Sequence, residues 1–328
     1  MTTQIKGRHQ GMRILGVSLW FASALACGQA YPSKPISLVV PFPPGGTTDA
    51  LGRALSDDLS KVLGQPVVID SRPGAGSTIG ADYVAKSRPD GYTLLLGAVH
   101  HTIATSAYKH LPYSFTRDFA PITTAVLAPN LMTINPGKLP VKSVTEWVAL
   151  VKAAPGKYSF GSNGNGTAQH LLGAQVQNAA GVTLLHVPYK GSGPLTTDLI
   201  GGQVDMSFDT ITSVQPHIKS GRLRALATVT DKRAPQFPDL PTLDEAGLKG
   251  VTVRTWFGIL APAGTPKEIV TQLNAEMVKI MATPGFQKRM YDIGVETVAD
   301  TPEQMAARIK DDTERFARLV KAAGVSVD

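Results

Sequence analysis

From Ile36 onward the apolar positions of this chain switch repeatedly between short continuous runs and stripes spaced three and four apart. Ile36 to Val40 is a β-branched run that predicts a buried strand. Thr48 to Leu63 predicts a helix, with Ala50, Leu51, Ala54, Leu55, Leu59, Val62 and Leu63 on one broad stripe and Gly64 as its stop. Val67 to Asp70 reads as the next strand, Arg72 to Ser77 as a glycine-rich turn and Ile79 to Lys86 as a helix. Tyr92 to Gly97 is a strand ending at Ala98-Val99-His100-His101. Helices predicted at 143–153, 167–179, 195–200 and 214–220 then alternate with strands at 183–187, 204–209 and 223–228. A proline-rich loop (235–241) and an extended stretch (251–260) lead to helices at 267–282 and 302–323, with a short piece at 286–291 between them. Strands alternating with helices at this spacing predict an α/β fold of mainly parallel sheets flanked by helices. Phe119 to Ile134 outward and Val251 to Leu260 back are the two extended crossovers between two lobes. The expected division is residues 31–128 plus 256–328 for a discontinuous first lobe and 129–255 for the second.

Two segments share one plan of strand, glycine-rich turn and helix. The first turn is Pro41-Phe42-Pro43-Pro44-Gly45-Gly46-Thr47-Thr48-Asp49, the second Gly161-Ser162-Asn163-Gly164-Asn165-Gly166-Thr167. Such turns aim unpaired N–H groups and the positive end of a helix dipole at whatever sits above them. Neither is a nucleotide motif. Gly45-Gly46 lacks the glycine spacing of a dinucleotide fingerprint, and Thr167 stands where a Walker loop needs lysine. Anion binding without a cation remains, which suits a carboxylate better than a polyphosphate. Asp49 and Thr167 also stand where short polar side chains cap helices.

The N-terminus differs in kind. Lys6, Arg8 and Arg13 precede an apolar run from Ile14 to Ala26, and Gly28 and Ala30 take the small-residue places of a cleavage site. That order predicts a secretory signal peptide over residues 1–30, cleaved after Ala30, and hence a periplasmic location. The only cysteine, Cys27, falls inside it; a lipoprotein reading meets a poor lipobox in Ala24-Leu25-Ala26. The mature chain then has no thiol for catalysis, zinc or disulfides. The formal charge of +7 includes the three basic residues of this segment and none of its acids, which leaves +4. An excess this mild suits an anionic ligand and is too small and too evenly spread for a nucleic-acid binder.

Other candidates carry weaker signals. His100 and His101 adjoin at a strand end and should point to opposite faces, while His170 and His186 lie in separate elements, so no metal or other cofactor is expected. His100 is still placed where open α/β sheets put ligands. Asp205 and Asp209 flank one predicted strand, with Asp209 at its carboxyl end facing the cleft and Asp205 a solvated strand start. Tyr189 and Lys190 follow a strand and a proline and could line the same cleft; the plain alternative for Lys190 is a surface charge. Neither a His-Glu-x-x-His helix nor a Gly-x-Ser-x-Gly elbow is present.

Read together, these blocks resemble the extracytoplasmic solute receptors of tripartite tricarboxylate transporters, the Bug family. The likeness runs across the mature chain through Tyr31 to Ile36, Pro41 to Asp49, Arg72-Pro73-Gly74-Ala75-Gly76, Pro89 to Leu94, Asp118 to Ile122, Gly161 to Gly164, Val187 to Gly191 and Ala261 to Pro266. The resemblance implies a non-enzymatic, two-lobed periplasmic binding protein of the Venus-flytrap kind, acting as a monomer and delivering a small carboxylate to membrane permease subunits. It implies that main-chain groups and ordered waters hold the carboxylate, roles that fall on Phe42, Gly45, Gly46 and Asp49 and on Ser162, Asn163, Gly164 and Thr167. Thr47, Gly166, His100, His170, Tyr189, Lys190 and Asp209 complete the candidate site. Val99-His100-His101 departs from the small hydroxyl residues common there, which bears on specificity. Two rival roles keep the same residues: a sensor presenting its closed form to a membrane histidine kinase, and an exported hydrolase using His100 or His170.

Overall fold

The structure, a computed structural model, describes residues 1–4 and 31–328. The expected signal peptide, its cleavage point and Cys27 therefore concern residues outside the described ones. Residues 31–328 form one compact unit built on two sheets. The first runs in the order β11 (Glu296–Thr297), β4 (Phe119–Ala128), β10 (Thr255–Pro262), β3 (Thr93–Ala98), β1 (Ile36–Val40), β2 (Val67–Ser71). The second runs β7 (Leu185–Pro188), β6 (Ser159–Ser162), β8 (Met206–Ser207), β5 (Leu131–Ile134), β9 (Arg224–Thr228). Each sheet and its helices make one lobe. The sheets are mixed rather than mainly parallel. Parallel pairing joins β1 to β2 and β3, and β6 to β7 and β8, whereas β10, β4, β11, β5 and β9 pair antiparallel. The crossovers cause this, because each returns the chain to a sheet running the other way.

Helices α1 (Thr47–Leu63), α2 (Thr78–Ala85), α3 (His100–Ala107), α8 (Lys267–Met281), α9 (Pro284–Asp292) and α10 (Pro302–Ala323) accompany the first sheet. Helices α4 (Val144–Lys152), α5 (Ala168–Ala180), α6 (Ser192–Gly201) and α7 (Ile211–Lys219) accompany the second. The centre of the predicted α1 stripe is its core face: Leu51, Leu55 and Leu59 are fully buried, each stabilising the fold by about 2 kcal/mol on burial, whereas Val62 is exposed. β4 leaves the first sheet and the chain enters β5 through Pro129-Asn130. Asn130 ties the crossovers together, its Nδ2 donating to Phe208 O at 2.7 Å and its Oδ1 accepting from Thr255 Oγ1 at 2.6 Å. One apolar core continues between the lobes, uniting Val99 just before α3 and Ile103 within it, Leu171 and Leu172 of α5 and Phe316 and Val320 of α10.

Three local expectations need correction. Val99-His100-His101 does not prolong a strand; β3 stops at Ala98 and His100 opens α3. That helix is buried on nearly all sides, so it has no polar face to give it a period. Asp205 and Asp209 do not share a strand. β8 is only Met206–Ser207, and Asp205, far from a solvated start, accepts from Ser159 N–H at 2.7 Å and Ser159 Oγ at 2.9 Å to clasp β6. Finally, α6 begins at Ser192 rather than Leu195, since Pro194 in a first turn lacks only an N–H that would be unpaired anyway.

Candidate functional site

The two glycine-rich turns open onto one pocket between the lobes. Its walls are Phe42, Pro43, Gly46, Thr47, Thr48, His100 and Phe257 from the first lobe, and Asn163, Gln169, Ser192 and Thr210 from the second. These residues place the starts of α1, α3, α5, α6 and α7 around one space, and at none of the five does the N-cap residue's own side chain cap the helix, although at α5 His100 takes the Ala168 N–H. Elsewhere α4, α9 and α10 are capped by Ser143, Thr283 and Thr301, whereas α2 and α8 lack a side-chain cap as well. First turns leave N–H groups without intrahelical acceptors and add positive dipole ends, so these starts offer donors to an anion although no Lys or Arg lines the pocket. Of three larger grooves, those of about 530 Å³ beside Arg224 and Phe237 and about 680 Å³ beside Arg233 and Tyr291 gather no helix start, while one of about 360 Å³ lies along Gly45, Gly193 and Ser213, outside this pocket.

The lobes are closed. The pocket encloses about 10 Å³, room for roughly one water. Thr47 Oγ1 donates to Thr210 Oγ1 at 3.0 Å, Ala168 N–H to His100 Nδ1 at 3.0 Å and Tyr108 OH to Asn165 O at 3.1 Å, each across the cleft. Glycine makes this approach possible. A Cβ on Gly193 would lie 2.4 Å from Pro44 O, and one on Gly164, whose φ is +129°, would lie 3.2 Å from Gly76 Cα. The pairing is crossed: the first turn faces Gly191 to Gly193, whereas Gly164 to Gly166 face Gly76 and Tyr108.

Asp209, fully buried, organises the second lobe's wall. Its Oδ1 accepts from Thr210 N–H at 2.7 Å, Ser192 Oγ at 3.0 Å, Asn163 Nδ2 at 3.3 Å and Gln169 Nε2 at 3.3 Å. Burial raises its pKa, and these donors oppose the rise. His100 is the first lobe's reach across the cleft. Its ring sits edge-on to Phe42 at 5.4 Å and Phe257 at 6.4 Å. Burial, with His101 nearby, holds its pKa down to about 3. A neutral imidazole accepting at Nδ1 must carry its proton on Nε2, so His100 is an acceptor toward α5 and a donor elsewhere.

Of the candidate residues, Phe42, Gly46, Thr47, His100 and Asn163 line this pocket, and Asp209 stands directly behind it. The other candidates lie elsewhere. Asp49 is not among the pocket's lining residues; its carboxylate accepts from Gly45 N–H at 3.2 Å and Arg53 Nε at 2.9 Å. Thr167 Oγ1 donates to Gly164 O at 2.7 Å, and Gly166 N–H to His170 Nδ1 at 3.2 Å, so all three residues shape the second turn. Tyr189 OH donates to Asp198 Oδ2 at 2.9 Å, away from the pocket, and burial with Asp198 nearby pushes its pKa up to about 12. Lys190 is exposed.

Ser162 Oγ lies 2.7 Å from His186 Nε2, a nucleophile–base distance. Yet the serine is fully buried, takes Gly164 N–H and lies off the pocket, while His186 stacks on His170 at 4.0 Å. The pair shapes a turn. His101 stacks on Phe115 at 5.0 Å and does not meet His100's partners. Among the described residues no group of three or more His, Cys, Asp or Glu could hold a metal ion.

Sequence reasoning missed Gln169, Ser192, Thr210 and Phe257. Gly191-Ser192-Gly193 could have been found as a further glycine-rich strand-to-helix turn; Phe257, on β10, carries no local signal at all.

Two compact α/β lobes with a closed cleft at their facing helix starts define the periplasmic-binding-protein class. The chain matches the family described as "Tripartite tricarboxylate transporter family receptor" over residues 51–325, and it belongs to that family. A curated relative, the UPF0065 protein in the tcbD-tcbE intergenic region of Pseudomonas sp. (strain P51), is 42% identical over 292 residues, 89% of this chain and 87% of the relative. The periplasmic binding protein BugD has a solved structure at TM-score 0.86 and 40% identity, covering 90% of this chain and 99% of BugD. R. palustris Rpa4515, solved with adipate, matches at TM-score 0.87 and 35% identity, covering 90% and 99%.

Proposed function

We propose that this chain is exported, loses residues 1–30, and works in the periplasm as a monomeric receptor that closes on a small organic-acid anion and delivers it to tripartite tricarboxylate-type permease subunits. The convergence of five helix starts on one pocket without Lys or Arg carries the reading. Preorganised N–H donors replace the hydration of a carboxylate without a buried counter-charge. The adipate bound by the related Rpa4515 supports the ligand class. The mechanism is a population shift, because a ligand touching both walls has its full set of contacts only in the closed form.

Thermal melting against mono-, di- and tricarboxylates tests this. An acid at a hundred times its Kd stabilises the native state by about 2.7 kcal/mol, a rise of roughly 5 °C or more. Gly46→Leu, whose side chain would enter the wall beside Ser192, should abolish the rise. No shift with any acid, or an unchanged shift in the variant, refutes the proposal.

A further inference from the structure

The groove of about 360 Å³ beside the cleft shares no lining residue with the pocket. Gly45 of the first lobe walls one side of it. Gly193 and Thr196 of α6, Ser213 and His217 of α7 and, beyond the end of α7, Arg222 wall the rest. Arg53, Arg233 and Arg254 each pair with a carboxylate, but among the described residues Arg222 pairs with none. Its Nε donates to Ser220 Oγ at 3.3 Å and its Nη2 to His217 Nδ1 at 2.7 Å. His217 is therefore neutral, with its proton on Nε2, and burial and the guanidinium both lower its pKa. Asp49, which accepts from Gly45 N–H, is already paired with Arg53.

A cation beyond the end of α7 complements the helix dipole, which by itself would account for Arg222. The hydroxyls in the same groove have no such account. Thr197 makes the ordinary helical bond, Oγ1 to Gly193 O at 3.1 Å. Thr196 Oγ1 and Ser213 Oγ make none; they are buried without partners, in residues 7% and 6% exposed. Buried hydroxyls in this state call for an acceptor, and beside a guanidinium that has no carboxylate the matching acceptor is an anion.

We propose that this groove is a second anion site, which takes an inorganic oxyanion, phosphate or sulfate, on the Arg222 guanidinium and the Thr196 and Ser213 hydroxyls. His217 is a positioning residue that holds the guanidinium. The walls come from both lobes, so the site is complete only when they close, and an oxyanion there favours the closed form. No organic acid enters it, so its failure would leave the receptor reading standing.

Melting and small-angle scattering in the absence of organic acid test this, with phosphate or sulfate at low millimolar concentration against chloride of equal ionic strength. At about ten times its Kd the better oxyanion should raise the wild-type melting temperature by roughly 3 °C, and it should shrink the radius of gyration. Arg233→Gln, which removes an exposed arginine outside the groove, should keep the whole response. Arg222→Gln should lose it. Thr196→Val combined with Ser213→Ala should also lose it, yet melt no lower than wild type without the anion, because hydroxyls lacking partners give up no bond. A merely structural role would reverse that pattern. A rise of equal size in every variant is general salting-out and overturns the proposal, as does the lack of any response in wild type. A rise without contraction overturns the placement of the site across both lobes.

Discussion

Gly193→Ala separates closure from folding. Gly193 sits in the first turn of α6 and its φ lies outside the left-handed region. Alanine therefore suits the helix better, by roughly 0.5–1 kcal/mol. The added Cβ would, however, lie 2.4 Å from Pro44 O and 4.0 Å from Gly45 Cα, both main-chain atoms of the opposite lobe. Neither can swing aside as a side chain would, so the lobes must stop short. The hydrogen bonds Thr47–Thr210, Ala168–His100 and Tyr108–Asn165 then open together. At about 0.5–1.5 kcal/mol net for each, closure loses roughly 2–4 kcal/mol, or about 30- to 1000-fold in apparent affinity. Two measurements decide the matter: calorimetry with the best acid from the melting screen, and the ligand-induced change in radius of gyration by small-angle scattering. The variant should melt no lower than wild type without ligand, bind far more weakly and fail to contract. Wild-type affinity with normal contraction would refute the argument that glycine is present for lobe approach.

Acid should weaken the unliganded protein through its buried histidines. Burial depresses His100 to about 3, and His101 and His186 to about 4, so the folded state binds fewer protons than the unfolded one. Their stabilisation is complete above the unfolded value near 6.5 and is lost as pH falls toward 3–4. The melting temperature should drop between pH 6.5 and 4.5, and His100→Gln should flatten part of that slope; an identical slope in the variant contradicts the assignment. Lys190→Ala should leave calorimetric affinity within twofold of wild type, because Lys190 is exposed and away from the pocket walls; a tenfold loss would place it at the site after all. Thr301→Ala removes one half of the capping box of α10 and should cost about 1 kcal/mol in a denaturant titration, with ligand affinity unchanged.

What was legible in the chain follows the range of each signal. The stripe of α1, the runs of β1 and β3 and the two glycine-rich turns are short-range patterns, and the sequence alone sufficed to place them. A resemblance spread over many short blocks likewise needs no coordinates. The side-chain partners did not yield to such reading. Asp49, Tyr189 and Lys190 look like ligand groups in one dimension. In the fold, Arg53 and Gly45 take Asp49, Asp198 takes Tyr189, and Lys190 faces water.

Whether Gln169, Ser192 and Thr210 gather around Asp209 depends on where α5, α6 and α7 begin in space. That is fixed by sheet order and lobe closure, through contacts as distant in sequence as Asn163 to Asp209 and Ala168 to His100. The sequence by itself determined that this chain builds glycine-rich helix starts. Which of them share a pocket, and which of their polar atoms are already hydrogen-bonded there, came from the fold, because a hydrogen bond's direction depends on every neighbour its atoms already serve.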